Sequence, residues 1–276
     1  MSQLELAVAA STTPRYMSFV ETGRSQPSRE MVLRVAAALD VPLRDRNGLL
    51  IAAGFAPIYP ERRLDDPAID RVMAALDRVL DHHAPYPAVV MDRRWDVVRV
   101  NDGAARLFAG LCAPEPVPDP ANVLRLMLEP GPVRSAVENW TDVAPSLLER
   151  ARREAVGGVL DVATADLVHG LRTGPDAAVF AAAPRSIAPL VPVIDVQFSY
   201  RDTSLQWFSV VSTIGTPIDI TAQELRLEAF FPSDEDTATR WQELSAVAMS
   251  CGQDHDETDR GPFVARVATI EADGDP

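Results

Sequence analysis

Residues 2–39, SQLELAVAASTTPRYMSFVETGRSQPSREMVLRVAAAL, read as two short helices joined by a tight turn, with a third helix behind them. Ser2 caps the first, which runs through Leu4, Leu6, Ala7 and Ala10, since a serine hydroxyl accepts one of the amides a helix start leaves unpaired. The small side chains of Ala7, Ala9 and Ala10 let a second helix come close. Ser11-Thr12-Thr13 breaks the pattern and Thr13-Pro14 restarts it. The threonine accepts an orphan amide while proline takes the first helical position, where no amide is needed. From Pro14 to Glu21 this helix turns Met17 and Val20 inward and leaves Arg15, Tyr16 and Ser18 on its outer face. Gly23 suits the left-handed residue beyond its end. Ser28 caps the third helix, with Glu30 in the first turn, where the helix dipole favours an anion.

This layout is that of a helix-turn-helix. The stretch resembles the Xre-type, λ-repressor-like helix-turn-helix, and SFVETGRSQPSREMVLRVAAALDVPL (18–43) closely matches the second half of that family. The resemblance implies an all-α domain over residues 1–54 whose second helix enters the major groove of double-stranded operator DNA. Thr13, Pro14, Arg15 and Ser18 would then read base edges, with Gln3 and Arg24 on phosphates. An arginine so placed can meet a guanine bidentately. It also implies a homodimer with half-sites about one helical turn apart. Domains of this type begin with a further helix before SQLELA, whereas here Met1 opens directly on it. Either the start lies upstream or this copy has lost part of its DNA-binding module. Without that helix Leu6, Val35 and Leu39 lose cover, at about 1.5–3 kcal/mol for each side chain left wet. Ser11 stands where the family often has glycine.

Composition bounds the remainder. The 276 residues suffice for two domains with proper cores. Lysine is absent, so every basic side chain is arginine. The net charge of −14 argues against general affinity for nucleic acid. Residues 1–60 hold six arginines against five acids, a net of +1; residues 61–276 hold 20 against 35, a net of −15. Contact with DNA is therefore expected from the first module alone, and salt-sensitive. Cys112 and Cys251 fit a reducing cytoplasm without a disulfide framework. Neither a signal peptide nor an apolar run of membrane-spanning length is present, and no membrane partner is expected.

Arg44–Ala53 reads as one more helix closing the first module, stopped by Gly54, and residues 55–68 as a proline-punctuated linker. Ile69, Met73, Leu76 and Leu80 recur at helical spacing over 70–80. Ala88–Met91 and Trp95–Val100 form a hairpin around Asp92-Arg93-Arg94. Helices are expected at Gly103–Gly110, Asn122–Leu128, Pro132–Ala155 and about Asp161–Leu171. Strands follow at Pro192–Tyr200, at Leu205–Ile214 (apolar on both faces, hence central), and where Leu225, Leu227, Ala229 and Phe231 alternate with Glu224, Arg226 and Glu228. Asp234–Met249 closes the domain as a helix. The tail over 250–276, with seven acids against two arginines from Cys251 on, is expected to be disordered. About five antiparallel strands with helices between the second and third make residues 69–249 an α+β domain.

DHHAPYPAVVMDRRWDVVRVN, PANVLRLML, VENW and FSVVSTIGTPIDITAQELRLEAFFPSD are similar to the MmyB-like ligand-binding domain. That PAS-like module habitually follows an Xre-type helix-turn-helix in bacterial transcription factors. The likeness runs from about Asp70 to Leu244, with a gap around Gly157–Ala188. It implies a small, largely apolar ligand, a fatty acid foremost, held between sheet and helices. A pocket of that kind needs apolar walls, for which Trp95, Phe108, Leu124, Trp140, Phe198, Phe208 and Phe230 are candidates. Asn101, Arg125, Asn139 and Thr213 are the candidate polar contacts, an arginine suiting a carboxylate.

Catalysis finds little support. GxSxG, P-loop, GxGxxG and HExxH patterns are absent. Asp81-His82-His83 reads as a solvated helix end, because adjacent helical side chains diverge by about 100° and rarely share one metal ion. Neither cysteine neighbours a base, and Asp65-Asp66 lies in a polar linker. No catalytic residue, metal or cofactor is expected. The reading is a ligand-responsive, sequence-specific DNA-binding regulator in the cytoplasm. Its rival is a ligand-binding or protein-interaction module with a vestigial reading head.

Overall fold

The computed structural model describes residues 1–154, 162–181 and 195–251. Contacts divide the chain into two compact units, 1–70 with 214–224, and 71–213 with 225 onward.

The first unit opens with α1 (Gln3–Ala9), α2 (Pro14–Glu21), α3 (Arg29–Ala38) and α4 (Leu43–Ala52). Each of the first three starts on a side chain that satisfies an orphan amide. Ser2 accepts from Glu5 N while the Glu5 carboxylate accepts from Ser2 N, a reciprocal box invisible to a search for single caps. Thr13 accepts from Tyr16 N and Ser28 from Met31 N, both at 3.2 Å. Ser11 turns the chain with φ +52°, a region where Asn or Gly sits more easily. Ala7, Ala10, Met17, Met31, Val32, Ala36 and Leu50 are buried, while Ala9 is exposed rather than packed. Leu6 and Val35 are half-buried, whereas Leu4, Val8 and Leu39 are exposed. The linker is not free chain throughout, since Asn47 of α4 donates to Tyr59 O and accepts from the Ile58 and Tyr59 amides.

The second unit is built on a five-stranded antiparallel sheet in the order β2-β1-β5-β4-β3. After α5 (Pro67–His83) come β1 (Ala88–Met91) and β2 (Val97–Val100), the expected hairpin. Then follow α6 (Asp102–Cys112), α7 (Val123–Leu128), α8 (Pro132–Ala136), α9 (Trp140–Glu154), α10 (Val162–Thr173) and α11 (Ala177–Ala181). The chain returns through β3 (Val196–Tyr200) and β4 (Thr203–Thr213), passes α12 (Ile220–Glu224), and ends on β5 (Arg226–Pro232) and α13 (Glu235–Cys251).

Three expectations need correction. The single helix over Pro132–Ala155 is two, because Val137 leaves helical geometry to bridge Phe198 and Glu138 N donates to Gln197 O. The strand at the centre is β5, between β1 and β4; β4 is interior, yet Val210 and Val211 are 46% and 38% exposed, so it is not buried on both faces. Along β5 the alternation does not separate buried from wet residues, for Arg226 and Glu228 are as buried as Leu227 and Ala229. The acidic tail from 252 lies outside the described residues, as does the start of the strand expected from Pro192.

Side chains alternate across a sheet. Val89, Met91, Phe198, Leu205, Trp207 and Phe230 thus join the main core with the helices that follow β2. On the opposite face, His83 at the end of α5 lies edge-on to Phe231, and Phe231 stacks on Phe208. α6 approaches the Pro85–Tyr86 backbone so closely that a Cβ at Gly103 would stand 2.5 Å from Pro85 O.

Two outcomes follow from these contacts. Gly103→Ala forces backbone against backbone and lowers the unfolding free energy by about 1–3 kcal/mol in urea denaturation. The Glu5 carboxyl is held below its ordinary range by the Ser2 amide and hydroxyl. A depressed carboxylate stabilises the fold at neutral pH and loses that contribution as pH falls through its folded value. Amide protection over residues 2–6, measured against the intrinsic exchange rate at each pH, therefore falls on acidification more than in Glu5→Gln.

Candidate functional site

The outward face of the first unit centres on α2. Thr13 and Pro14 open it, and Arg15 is exposed with its guanidinium 5.4 Å from the Phe19 ring. Ser18 is half-buried one turn later, and Arg24 is exposed just past Gly23, whose φ is +70°. Gln3 reaches across from α1 to donate to Glu21 Oε2 at 2.7 Å.

The second unit holds a cavity of about 480 Å³, partly open to solvent, between its sheet and its helices, within the range of about 300–1,000 Å³ usual for small-molecule sites. One wall is a stripe along α9: Val143, Ser146, Leu147, Arg150 and Arg153, at the i, i+3, i+4, i+7 spacing of one helix face. The facing wall takes alternate residues of three strands, Val196 and Phe198, then Trp207, Ser209 and Val211, then Glu228 and Phe230. Phe108, Val123, Met127 and Trp95 complete it.

The polar end of this cavity is a paired charge network. Arg150 Nη1 and Nη2 donate to the two Glu228 oxygens at 2.9 and 3.0 Å, and Arg150 Nε donates to Glu154 at 2.8 Å. Ser209 Oγ donates to Glu228 Oε1 at 2.5 Å. Arg226 pairs with Glu154 and donates Nη2 to Asp92 O. Both guanidiniums lie against the Trp95 ring, at 4.6 and 5.1 Å. Burial, reinforced by repulsion from Arg150, pushes the Arg226 pKa down to about 10. Trp95 itself has φ +70°, a strained conformation for a bulky residue. The Asp92 carboxylate holds this turn by accepting from Arg94 N and Asp96 N, and burial raises its pKa. Among the described residues the fully buried Trp207 indole N–H and Arg226 Nε meet no acceptor, and no carboxylate pairs with Arg153, which is exposed at the rim.

Residues 72–244 match the family described as the MmyB-like transcription regulator ligand binding domain. The chain belongs to that family. Residues 1–45 match a helix-turn-helix family, in agreement with the Xre-type reading. No curated protein matches the chain. A helix-turn-helix joined to an MmyB-like ligand-binding domain makes this a ligand-regulated, DNA-binding transcription regulator. Among the described residues no helix is long and apolar enough to cross a membrane.

Within the MmyB-like domain, Trp95, Phe108, Phe198 and Phe230 stand together around the cavity. The other expected contacts lie elsewhere. Phe208 points to the opposite face of the sheet, one residue out of phase with Trp207 and Ser209. Leu124 is ordinary core. Trp140 donates to Met127 O and packs against Arg134 and Phe180. Asn139 is spent tying the helix break to the sheet, donating to Asp195 O and accepting from Gln197 N. Asn101 is a buried hub that accepts from the Ala88 and Ala104 amides and donates to Leu80 O and Tyr86 O. Arg125 is exposed and paired with Glu129, and Thr213 is exposed at the end of β4. Sequence reasoning missed Arg150, Arg153, Trp207, Ser209 and Glu228. The usable signal was the pair Arg150 and Arg153, at i and i+3 in line with Val143 and Leu147 on one face of α9.

Removing one member of a buried pair strands the other, at about 3–5 kcal/mol. Glu228→Leu accordingly lowers stability by that order in urea denaturation. The double variant Arg150→Leu/Glu228→Leu recovers a large part of it.

Proposed function

We propose that the regulator binds operator DNA as a homodimer in the cytoplasm, with α2 in the major groove, and that its cavity takes a small, largely apolar acid, a fatty acid foremost. The ligand reading rests chiefly on one observation: a largely apolar cavity with exposed Arg153 at its rim, which among the described residues pairs with no carboxylate. The Arg150–Glu228 pair cancels its own charge, so the lining carries one net positive charge, which suits a carboxylate. The unpaired Trp207 N–H supports a ligand that also brings an acceptor. On the DNA side, Thr13, Pro14, Arg15 and Ser18 are proposed to read bases, with Gln3 and Arg24 on phosphates; the exposure of Arg15 supports this.

Native mass spectrometry of protein purified from its source tests the ligand class, and titration with hexadecanoate tests the anchor. Arg153→Ala weakens hexadecanoate at least about tenfold, the loss of one charge-assisted hydrogen bond. For DNA, anisotropy with a duplex from the gene's own upstream region is decisive. Arg15→Ala costs about 1–3 kcal/mol and relaxes specificity at one base pair, whereas Arg24→Ala weakens all sequences alike and lowers the salt slope by about one. The vestigial-head reading draws on exposed Leu4, Val8 and Leu39. A wild-type chain that binds duplex without salt dependence, or not at all, establishes it instead.

A further inference from the structure

The segment joining β4 to β5 clusters with the first unit rather than with its own sheet. Its residues hold α4 and the chain just after it at five points. Gln223 Oε1 accepts from Leu43 N at 2.7 Å, and Glu224 accepts from Arg44 Nε and Nη2 at 2.7 and 3.0 Å. Asp219 accepts from Arg62 at 2.9 Å, Thr221 Oγ1 donates to Arg62 O, and Ile220 N donates to Pro60 O. The Gln223 contact fills a real vacancy, because α4 begins after Pro42, which offers no side-chain cap. Asp219, Ile220 and Ala222 are buried, so the arm is packed there and not merely laid on a surface.

At its other end the same arm is continuous with the cavity. Glu224 holds Arg44; two residues on, Arg226 lies against Trp95; two further on, Glu228 lines the cavity. On the β4 side, Val211 lines the cavity and Thr213 pairs with Arg226 at the foot of the arm. We propose that residues 214–224 are the element through which the state of the cavity reaches the helix-turn-helix, with Gln223 and Glu224 as positioning residues for α4. This rests on the ligand-cavity reading above. Any shift of β5 needed to seat a ligand beside Glu228 is carried four residues along one strand into the cap and ion pair at the start of α4. A coupling of this kind is reciprocal, so DNA held by the head biases the cavity in turn.

Hydrogen exchange on the full chain tests this without a known ligand, using side chains that fill the cavity from opposite walls: Ser146→Trp on α9 and Val211→Trp on β4. Each filler is expected to change exchange over 226–232 and, by about tenfold, over 43–46. In the Gln223→Ala/Glu224→Ala background, and separately with Arg44→Met, the change over 226–232 persists while that over 43–46 falls below about twofold. The proposal is overturned if the change over 43–46 survives both backgrounds. It is also overturned if either segment stays unaffected by both fillers in the intact arm. Circular dichroism confirms that each variant is folded. Operator binding is read separately, so a chain that fails to bind DNA refutes the proposed function while the exchange result stands.

Discussion

Glu228 occupies the middle strand of the sheet, where residues 226–230 are all buried, and the ligand-binding domain has to neutralise it there. A carboxylate at 5% exposure survives only if paired and hydrogen-bonded. Arg150 meets it with both terminal nitrogens and Ser209 takes a further site on the same oxygen. Arg150 is thereby fixed, and with it the register of α9 against the sheet, which decides that Val143, Leu147 and Arg153 face the same space. The cavity is in this sense a consequence of one ion pair.

Such a network is weak support for stability, since an apolar replacement of equal volume is often no worse. Its value here is geometric. Two guanidiniums against one indole need Trp95 presented from its turn, and the chain holds that residue at φ +70° through the Asp92 carboxylate. A strained aromatic that lines the cavity stands beside an arginine with a lowered pKa and a half-buried carboxyl with a raised one. Perturbed groups so gathered mark places where the fold gives up local comfort for a defined surface.

The same physics explains what the sequence could disclose. Helix starts were legible because capping is local: Ser2, Thr13 and Ser28 each act within three residues, whereas Asn101, expected as a ligand contact, turned out to cap α6 in the same way. Strand positions were legible from alternation, but which face is wet was not. On β5 the polar set, Glu228 and Arg226, is buried, and Glu228 lines the cavity. Phe208 was misplaced for a related reason, since a one-residue phase error moves a side chain to the other face. Asn139 and Asn101 were candidate polar contacts for a ligand, yet both are consumed by backbone partners more than ten residues away in sequence. Polar residues next to aromatics therefore do not by themselves announce a ligand. Among the described residues the buried Trp207 N–H has no such partner, and Arg153, exposed at the cavity rim, pairs with no carboxylate, neither of which is visible in the sequence.

The arm at 214–224 carries this reasoning one step further. In sequence it is an ordinary turn-rich connection within the MmyB-like match. In the folded chain it supplies the acceptor that Pro42 cannot give to α4 and the anion that, with Glu61, holds Arg44 in its charged form. A head made of residues 1–54 alone would begin its fourth helix with an uncapped amide and an arginine lacking both of its carboxylates. The reading module is therefore finished by residues that lie 180 positions downstream, between two strands that wall the cavity. A loop between two strands of the ligand-binding domain thus supplies the cap and the anion that the start of α4 lacks within residues 1–54.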